Sequence, residues 1–159
     1  MEMKQYQIKN LADAPEHMEE VSRWLWEYWA KADGYSLEEI VYRTRHACQR
    51  DTVPQMLVAV MDGQAVGTVS LWLNDAKTRQ DLSPWMAVLY VKPELRNFHI
   101  GQALQKASIE VAEKLGRYDW LYLITELEDY YEKTGWEFVD HVPVGHGHTE
   151  KVYRYPLKR

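Results

Sequence analysis

The sequence predicts a mixed α/β fold in which helices flank a central, mostly antiparallel sheet of six to seven strands. Two patterns favour this class. Residues 55–91 hold three apolar or alternating segments separated by turn residues, as consecutive antiparallel strands do. Apolar residues at helical spacing over 100–115 then connect the third strand to a continuous apolar segment at 120–124, which predicts a parallel βαβ unit. The complete order is β-α-α-β-β-β-α-β-α-β-β.

Length and composition predict a single domain over residues 1–159. The hydrophobic fraction of 46% and the charged fraction of 27% are typical of globular proteins. The net charge of −5 argues against nucleic acid as the main partner, because phosphate backbones are bound by basic surfaces. The same charge favours a cationic or amine ligand.

The sequence shows no targeting or anchoring segment. No apolar run approaches the roughly 20 residues that span a bilayer, and the N-terminus has no signal-peptide pattern. The single cysteine, Cys48, gives no disulfide framework and is compatible with a reducing compartment. We therefore expect a cytoplasmic protein with no membrane partner.

The first third predicts one strand and two helices. A short strand is expected at residues 6–8. Residues 13–16 are typical of a helix start, with Asp13 as the capping residue. Residues 36–39 have the spacing of a capping box and predict the start of the second helix.

The rest of the chain alternates strands with helices. Residues 62–63 are a hairpin turn signal between the first two central strands, and Gly116 is expected to close the long helix. A further short helix is predicted at 127–134. The last two strands are predicted at 136–141 and 149–157, with a turn rich in glycine and histidine between them.

The stretch from residue 85 to residue 104 is the most informative part of the chain. It is an apolar strand, a stop at Pro93, a loop that carries Arg96, and an amphipathic helix. The first backbone N–H groups of a helix have no internal partner, and the helix dipole is positive at that end. This stretch therefore predicts a binding site for the pyrophosphate of a nucleotide-like ligand.

Two short motifs carry the functional signal. Residues 91–101 read Val-Lys-Pro-Glu-Leu-Arg-Asn-Phe-His-Ile-Gly, and residues 131–136 read Tyr-Glu-Lys-Thr-Gly-Trp. Together, and in this order of elements, they resemble the GNAT superfamily of acetyl-CoA-dependent N-acetyltransferases. The first is similar to the family's Val-x-Pro followed by Arg or Gln, two residues, Gly, one residue, and Gly or Ala. His99 stands where the first motif glycine is expected, so its side chain must point away from the phosphate or donate to it.

The resemblance implies that acetyl-CoA is the co-substrate. Backbone N–H groups of the loop would bind the pyrophosphate, and Arg96 would add charge. The end of the preceding strand would pair with the pantetheine arm, and a backbone N–H near Leu89 would stabilise the acetyl oxyanion. The predicted cofactor-binding residues are Leu89, Tyr90, Val91, Arg96, Asn97, Phe98, His99, Ile100, Gly101 and Gln102.

The resemblance also assigns candidate catalytic residues. Tyr131 would be the general acid that protonates the leaving coenzyme A thiolate. The attacking amine must be neutral, which calls for a base. Glu126, just past a strand end, is the first candidate, and Asp81 and Glu27 are alternatives.

Aromatic residues are expected to line the acceptor site. The chain has seven Trp and eleven Tyr against two Phe, and such rings with a polar group favour a pocket whose apolar walls meet water. Aromatic faces near acids suit a cationic amine. The predicted substrate-binding residues are Trp26, Trp29, Trp72 and Trp85.

The predicted activity is transfer of an acetyl group from acetyl-CoA to the primary amine of a small molecule by direct attack in a ternary complex. Two alternatives stay open, namely acetylation of a protein or peptide and a non-catalytic acyl-CoA-binding or interaction module. A homodimer is compatible with the terminal strands and aromatic residues. No metal is expected, because His141, His146 and His148 match no common zinc spacing.

Overall fold

The computed structural model of the protein describes residues 5–159 and confirms the predicted fold class. One seven-stranded sheet is formed by β1 Tyr6–Asn10, β2 Gln55–Met61, β3 Gln64–Trp72, β4 Trp85–Val91, β5 Trp120–Thr125, β6 Glu137–Gly145 and β7 His148–Pro156. Its strand order is β1-β2-β3-β4-β5-β7-β6. Neighbouring strands are antiparallel except β4 and β5, which are parallel as the βαβ pattern predicts.

Helices cover both faces of the sheet. They are α1 Met18–Leu25, which continues into a π-helical turn at Trp26–Ala30, α2 Leu37–His46 and α3 Ile100–Leu115. The buried residues of α1 and α2 pack with one apolar cluster, and those of α3 pack with another. Within residues 5–159, the helices are too short or too polar to cross a membrane.

The central strands are buried on both faces, which explains their nearly continuous apolar sequence. Helix α3 packs closely over β3 because Gly67 has no side chain. A Cβ at Gly67 would lie 2.9 Å from the backbone oxygen of Tyr90 and 3.1 Å from Cδ1 of Leu104. This close approach fixes the position of α3, and hence of its N-terminus, against β4.

The predicted capping residues have mixed outcomes. The capping box of α2 is confirmed, since the Ser36 hydroxyl accepts from the Glu39 N–H and the Glu39 carboxylate accepts from the Ser36 N–H. Asp13 does not cap α1. A 3₁₀ turn at Pro15–His17 precedes that helix, and Asp13 forms an ion pair with Arg50 at 2.6 Å instead.

The helix predicted at residues 127–134 is wrong. Only a 3₁₀ turn at Glu132–Thr134 forms there. Asp129 has a positive φ of 55°, and both Leu127 and Tyr130 are exposed, so the segment has no buried apolar face to hold a helix. The segment is irregular and leads from β5 to Tyr131.

The turn between β6 and β7 is shorter than predicted. It consists of His146 and Gly147, and both have positive φ, as a two-residue type I′ hairpin turn requires. The three histidines of this region lie on the hairpin or its turn. Within residues 5–159, no group of three or more His, Cys, Asp or Glu side chains is arranged to hold a metal ion.

Candidate active site

A cleft opens where the two parallel strands diverge. Strands β4 and β5 are paired only at Trp85 and Tyr122. Beyond that pair lies a cavity of about 190 Å³. Its lining residues come from both strands and from three other segments, and they are Trp29, Asp75, Met86, Ala87, Val88, Leu89, Leu123, Ile124 and Tyr131.

A bulge in β4 shapes the wall of this cleft. Ala87 pairs with Ser70 and Tyr90 pairs with Thr68, so two residues of β4 stand opposite one residue of β3. Val88, the first of the two, has a φ of 47°. An extra residue in one strand leaves the hydrogen-bonding ladder locally unpaired. The bulge therefore lies at Val88 and Leu89, both of which line the cleft, and the donor near Leu89 stays a prediction.

The N-terminus of α3 is open to an anion. The preceding residues form a 3₁₀ turn at Pro93–Phe98, and no side chain caps the first turn of α3. The backbone N–H groups there have no intrahelical partner, and sixteen residues of aligned dipoles stand behind them. A helix end of this kind can accept an anion, and the pyrophosphate site stays a prediction.

The predicted cofactor-binding residues differ in how far they are exposed to solvent. Arg96, Asn97, His99 and Gln102 are exposed, whereas Leu89, Phe98 and Gly101 are partly buried. Tyr90, Val91 and Ile100 are buried. The side chains of these last three belong to the core, so only their backbone groups can serve a ligand.

Arg96 is oriented by the end of β4. Its Nε donates to the backbone oxygen of Val91 at 2.9 Å, and its guanidinium lies 5.8 Å from the ring centroid of Tyr90. Within residues 5–159, its two terminal nitrogens have no hydrogen-bond or ion-pair partner. They are free to meet a phosphate.

His99 occupies the conformation that explains the family's glycine. It has φ 62° and ψ 18°, the left-handed region, and forms the N-terminal boundary of α3. Its side chain is exposed. The loop therefore keeps the backbone shape of the motif with a histidine in place of glycine, at some cost in strain.

Replacing His99 by glycine is expected to raise the free energy of unfolding by about 1 kcal/mol, because glycine adopts the left-handed conformation without a Cβ clash. Urea unfolding at constant pH measures the change. The matched control is Lys106→Gly, an exposed position inside α3, which is expected to lower the free energy of unfolding by about 1 kcal/mol. A loss of stability in the His99→Gly variant would contradict the strain assigned to this position.

Tyr131 points into the cleft from the irregular segment. Its ring is buried and lies edge-on to Tyr130 and Trp136, with centroids at 4.8 and 5.9 Å. Burial, with a smaller contribution from Tyr130, raises the pKa of Tyr131 to about 12. No hydrogen bond engages its hydroxyl within the described part of the chain. Tyr131 is therefore a protonated phenol with a free donor in the cleft.

A tight turn sets the position of Tyr131. The backbone N–H groups of Thr134 and Trp136 both donate to the Tyr131 carbonyl, at 3.1 and 3.3 Å. Gly135 makes this turn with a φ of 95°, and a Cβ there would lie 3.1 Å from Cε2 of Tyr155. The glycine of the second motif is thus required by backbone conformation and by space.

A larger cavity adjoins the cleft. It has a volume of about 630 Å³, and three residues line both cavities: Trp29, Asp75 and Val88. Its walls are aromatic and charged, with Trp29, Tyr35, Tyr42 and Trp72 beside Asp33, Glu39, Arg43, His46 and Asp75. We refer to it as the acceptor-side cavity.

Two of the four predicted substrate-binding tryptophans line this cavity, namely Trp29 and Trp72. Trp85 does not, and its assignment as a pocket wall is wrong. Its side chain is 0% exposed, and its Nε1 donates to the Leu82 carbonyl at 2.6 Å. Trp26 also lies outside both cavities, because its Nε1 is bonded to the Tyr35 carbonyl at 2.8 Å.

The predicted bases lie outside the cleft. Glu126 is exposed just beyond the end of β5 and lines neither cavity. Asp81 pairs with Arg79 at 2.9 Å, and Glu27 is exposed on the π-helical turn. Sequence reasoning missed Asp75, which lines both cavities. Its only signal was its place in the polar loop directly after β3.

A third cavity has no part in this arrangement. It measures about 910 Å³, lies between β1 and α3, and shares no lining residue with the cleft or the acceptor-side cavity. Its lining residues carry charges of both signs.

Comparison with known proteins identifies the same architecture. The family model described as "Acetyltransferase (GNAT) family" matches residues 18–136. A putative acetyltransferase from Acinetobacter baylyi ADP1 is similar in structure, with a TM-score of 0.76, 14% identity, and coverage of 99% of this chain and 94% of that one. No curated protein matches the sequence.

Two further solved structures contain the coenzyme. An aminoglycoside 6'-N-acetyltransferase complexed with coenzyme A has a TM-score of 0.71 and 17% identity, with coverage of 96% of this chain and 98% of that one. The yncA protein of Salmonella typhimurium, a putative acetyltransferase with its cofactor acetyl-CoA, has a TM-score of 0.70 and 13% identity, with coverage of 96% and 94%. At such identities the likeness shows the fold.

Proposed function

The chain belongs to the GNAT acetyltransferase family, and we propose that it transfers an acetyl group from acetyl-CoA to the primary amine of a small molecule by direct attack. One observation carries this proposal. The cleft between β4 and β5 holds a protonated phenol, Tyr131, and joins a cavity with aromatic and acidic walls. The cleft suits a thioester, and the acceptor-side cavity suits a cationic amine.

The residues present fit acetyl-CoA as co-substrate. The uncapped N-terminus of α3 and the free guanidinium nitrogens of Arg96 supply donors for the pyrophosphate. The divergence of β4 from β5 leaves strand groups that can pair with the amides of the pantetheine arm. Acetyl-CoA supplies an activated acyl group with a thiolate leaving group.

Three groups of the chain would act on the reacting atoms, namely an oxyanion donor, a general acid and a base. The backbone N–H at Leu89, freed by the bulge, stabilises the negative charge that develops on the carbonyl oxygen. Tyr131 donates its proton to the leaving sulfur. The acceptor ammonium must lose a proton before attack. The sequence gives Glu126 as the first candidate for that step. The residue is exposed and lines neither the cleft nor the acceptor-side cavity.

The shape of the acceptor-side cavity favours a small molecule over a peptide. A volume of about 630 Å³ lies within the range of small-ligand pockets. The face of Trp29 offers a cation–π contact to an ammonium group, whereas the Trp72 ring already has the Arg43 guanidinium beside it. Arg43, 5.2 Å from the Trp72 ring centroid, opposes the acids and restricts where the ammonium can sit.

The test is a coenzyme A release assay with acetyl-CoA and a panel of polyamines, aminoglycosides, amino acids and peptides. We expect amine-dependent release of thiol with at least one small amine and with none of the peptides. Thermal unfolding is measured in parallel, since a ligand present at 100 times its Kd stabilises the folded state by about 2.7 kcal/mol. Stabilisation without turnover on any amine would favour the non-catalytic module, and turnover on peptides alone would favour protein acetylation.

A further inference from the structure

We propose that Asp75 is the catalytic base that removes the proton from the acceptor ammonium. This inference rests on the proposed acetyl transfer and adds a residue to it. Asp75 lies in the loop after β3, belongs to neither sequence motif, and lines the cleft together with Tyr131.

The first support is position. Of the nine residues that line the cleft, only Asp75 and Tyr131 can ionise. Asp75 also lines the acceptor-side cavity, together with Trp29 and Val88, so it borders both the cleft and the acceptor-side cavity. Of the three shared residues, Asp75 alone can accept a proton from an amine.

The second support is that the carboxylate has no partner. No hydrogen bond or ion pair within residues 5–159 engages the side chain of Asp75. The loop around it is nevertheless held in place. The Asn74 side chain donates to the Arg79 carbonyl at 3.0 Å, and Arg79 bridges Asp81 and Asp140. An unpaired carboxylate on a tethered loop is free to accept a proton.

The third support is the electrostatic surroundings. Asp75 is faced by Arg43 of α2 and Glu150 of β7, and Tyr131 shares the cleft with it. The acceptor-side cavity is also lined by the acids Asp33 and Glu39 and by the titratable side chains of Tyr35, Tyr42 and His46. Desolvation by the surrounding protein atoms, and then Glu150, raise the pKa of Asp75 to about 7, whereas Arg43 lowers it. A carboxylate at its ordinary pKa is a far weaker base towards an ammonium group.

Asp75 also has a route to return the proton. The residue remains exposed to solvent although many protein atoms surround its carboxylate. A base that stays in contact with solvent can release to water the proton that it takes from the substrate.

Protons and electrons balance in the proposed transfer. Asp75 accepts one proton from the ammonium group and becomes a neutral carboxylic acid. The amine lone pair then forms the C–N bond with the acetyl carbon, and the C–S bond breaks with its electron pair on sulfur. Tyr131 protonates the sulfur, and the second proton lost by nitrogen restores the phenol. Asp75 finally releases its proton to solvent, so the net products are the amide, the thiol and one proton.

The test compares Asp75→Asn with the wild-type protein over a range of pH, using an amine accepted by the wild type. We expect kcat/KM of the wild type to fall as the pH drops through about 7, because the acid form of Asp75 cannot accept a proton. This fall of kcat/KM at low pH is the acid limb of the pH profile. In Asp75→Asn the acid limb is expected to disappear, and kcat is expected to fall about 100- to 10,000-fold. With an acceptor that is already neutral at the assay pH, such as a hydrazide, the kcat of Asp75→Asn is expected to fall much less.

The matched control is Asp33→Asn, which removes a carboxylate from the larger cavity only. It is expected to keep the acid limb at the wild-type position. Thermal unfolding with and without acetyl-CoA checks that each variant folds and binds the coenzyme, and Asp75→Ala is the second variant.

Two outcomes would overturn the assignment. One is an acid limb that survives in Asp75→Asn and vanishes in Glu126→Gln. The other is an equal loss with the neutral acceptor, which would indicate a positional effect. Absence of turnover by the wild type on every amine would instead refute the proposed function itself.

Discussion

Replacing Tyr131 by phenylalanine is expected to lower kcat about 100- to 10,000-fold, the range typical of a lost general acid. The ring stays in place, because its contacts with Tyr130, Trp136 and Tyr153 do not involve the hydroxyl. The affinity for acetyl-CoA is therefore expected to stay at the wild-type value. Steady-state kinetics with a small amine, together with calorimetric titration of acetyl-CoA, measure the two effects separately.

The neighbouring tyrosine gives a matched control. Tyr130 is exposed and lines neither cavity, so Tyr130→Phe is expected to leave kcat within a small factor of the wild-type value. Wild-type turnover in the Tyr131→Phe variant would remove the phenol from the mechanism. Equal losses in both variants would point to the local turn and not to proton donation.

Replacing Trp85 by alanine is expected to lower the free energy of unfolding by about 3–5 kcal/mol, the cost of deleting a large aromatic side chain from a core. Trp85 packs with Ala76, Tyr122 and Val142, and its indole N–H donates to the Leu82 carbonyl. A loss of that size is a large part of the total stability of a typical domain. Urea unfolding monitored by circular dichroism measures it, and Trp85→Phe gives a milder variant that keeps an aromatic ring.

Trp29→Ala is the comparison that separates core from pocket. Trp29 is 38% exposed, so its removal is expected to lower the free energy of unfolding by well under half as much and to raise KM for the amine. If Trp29→Ala destabilised the protein as much as Trp85→Ala, the division of the tryptophans between pocket and core would be wrong.

Much of the fold followed from periodicity and turn chemistry. The alternating segments of residues 55–91 became β2, β3 and β4, and the helical spacing after His99 became α3, closed by Gly116. These elements are long, and their apolar faces are buried, so local pattern and tertiary packing agree. The loop before α3 was also predicted. A proline ends β4 and helical spacing begins soon after it, so only a short connection can lie between them.

The errors arose where packing decides the outcome. Residues 127–134 have moderate helix propensity, but without a buried face the segment cannot offset the entropy of ordering a helix. Trp85 looked like a pocket wall because sequence does not show which side of a buried strand faces a cavity. Asp75 lacked any local motif. Its relevance comes from its place in the cleft and from electrostatic interactions with Glu150 and Arg43, which are distant in sequence.

The central claim is direct transfer of the acetyl group from coenzyme A to a small amine in the cleft between β4 and β5. Acetyl-CoA labelled with ¹³C in the acetyl group, incubated with the protein and the best acceptor of the panel, tests it in one mass-spectrometric measurement. We expect the label in an amide of the acceptor, in equal amount to the thiol released, and none on the protein. Label that appears only as free acetate, or that first accumulates on a residue such as Cys48, would contradict the account.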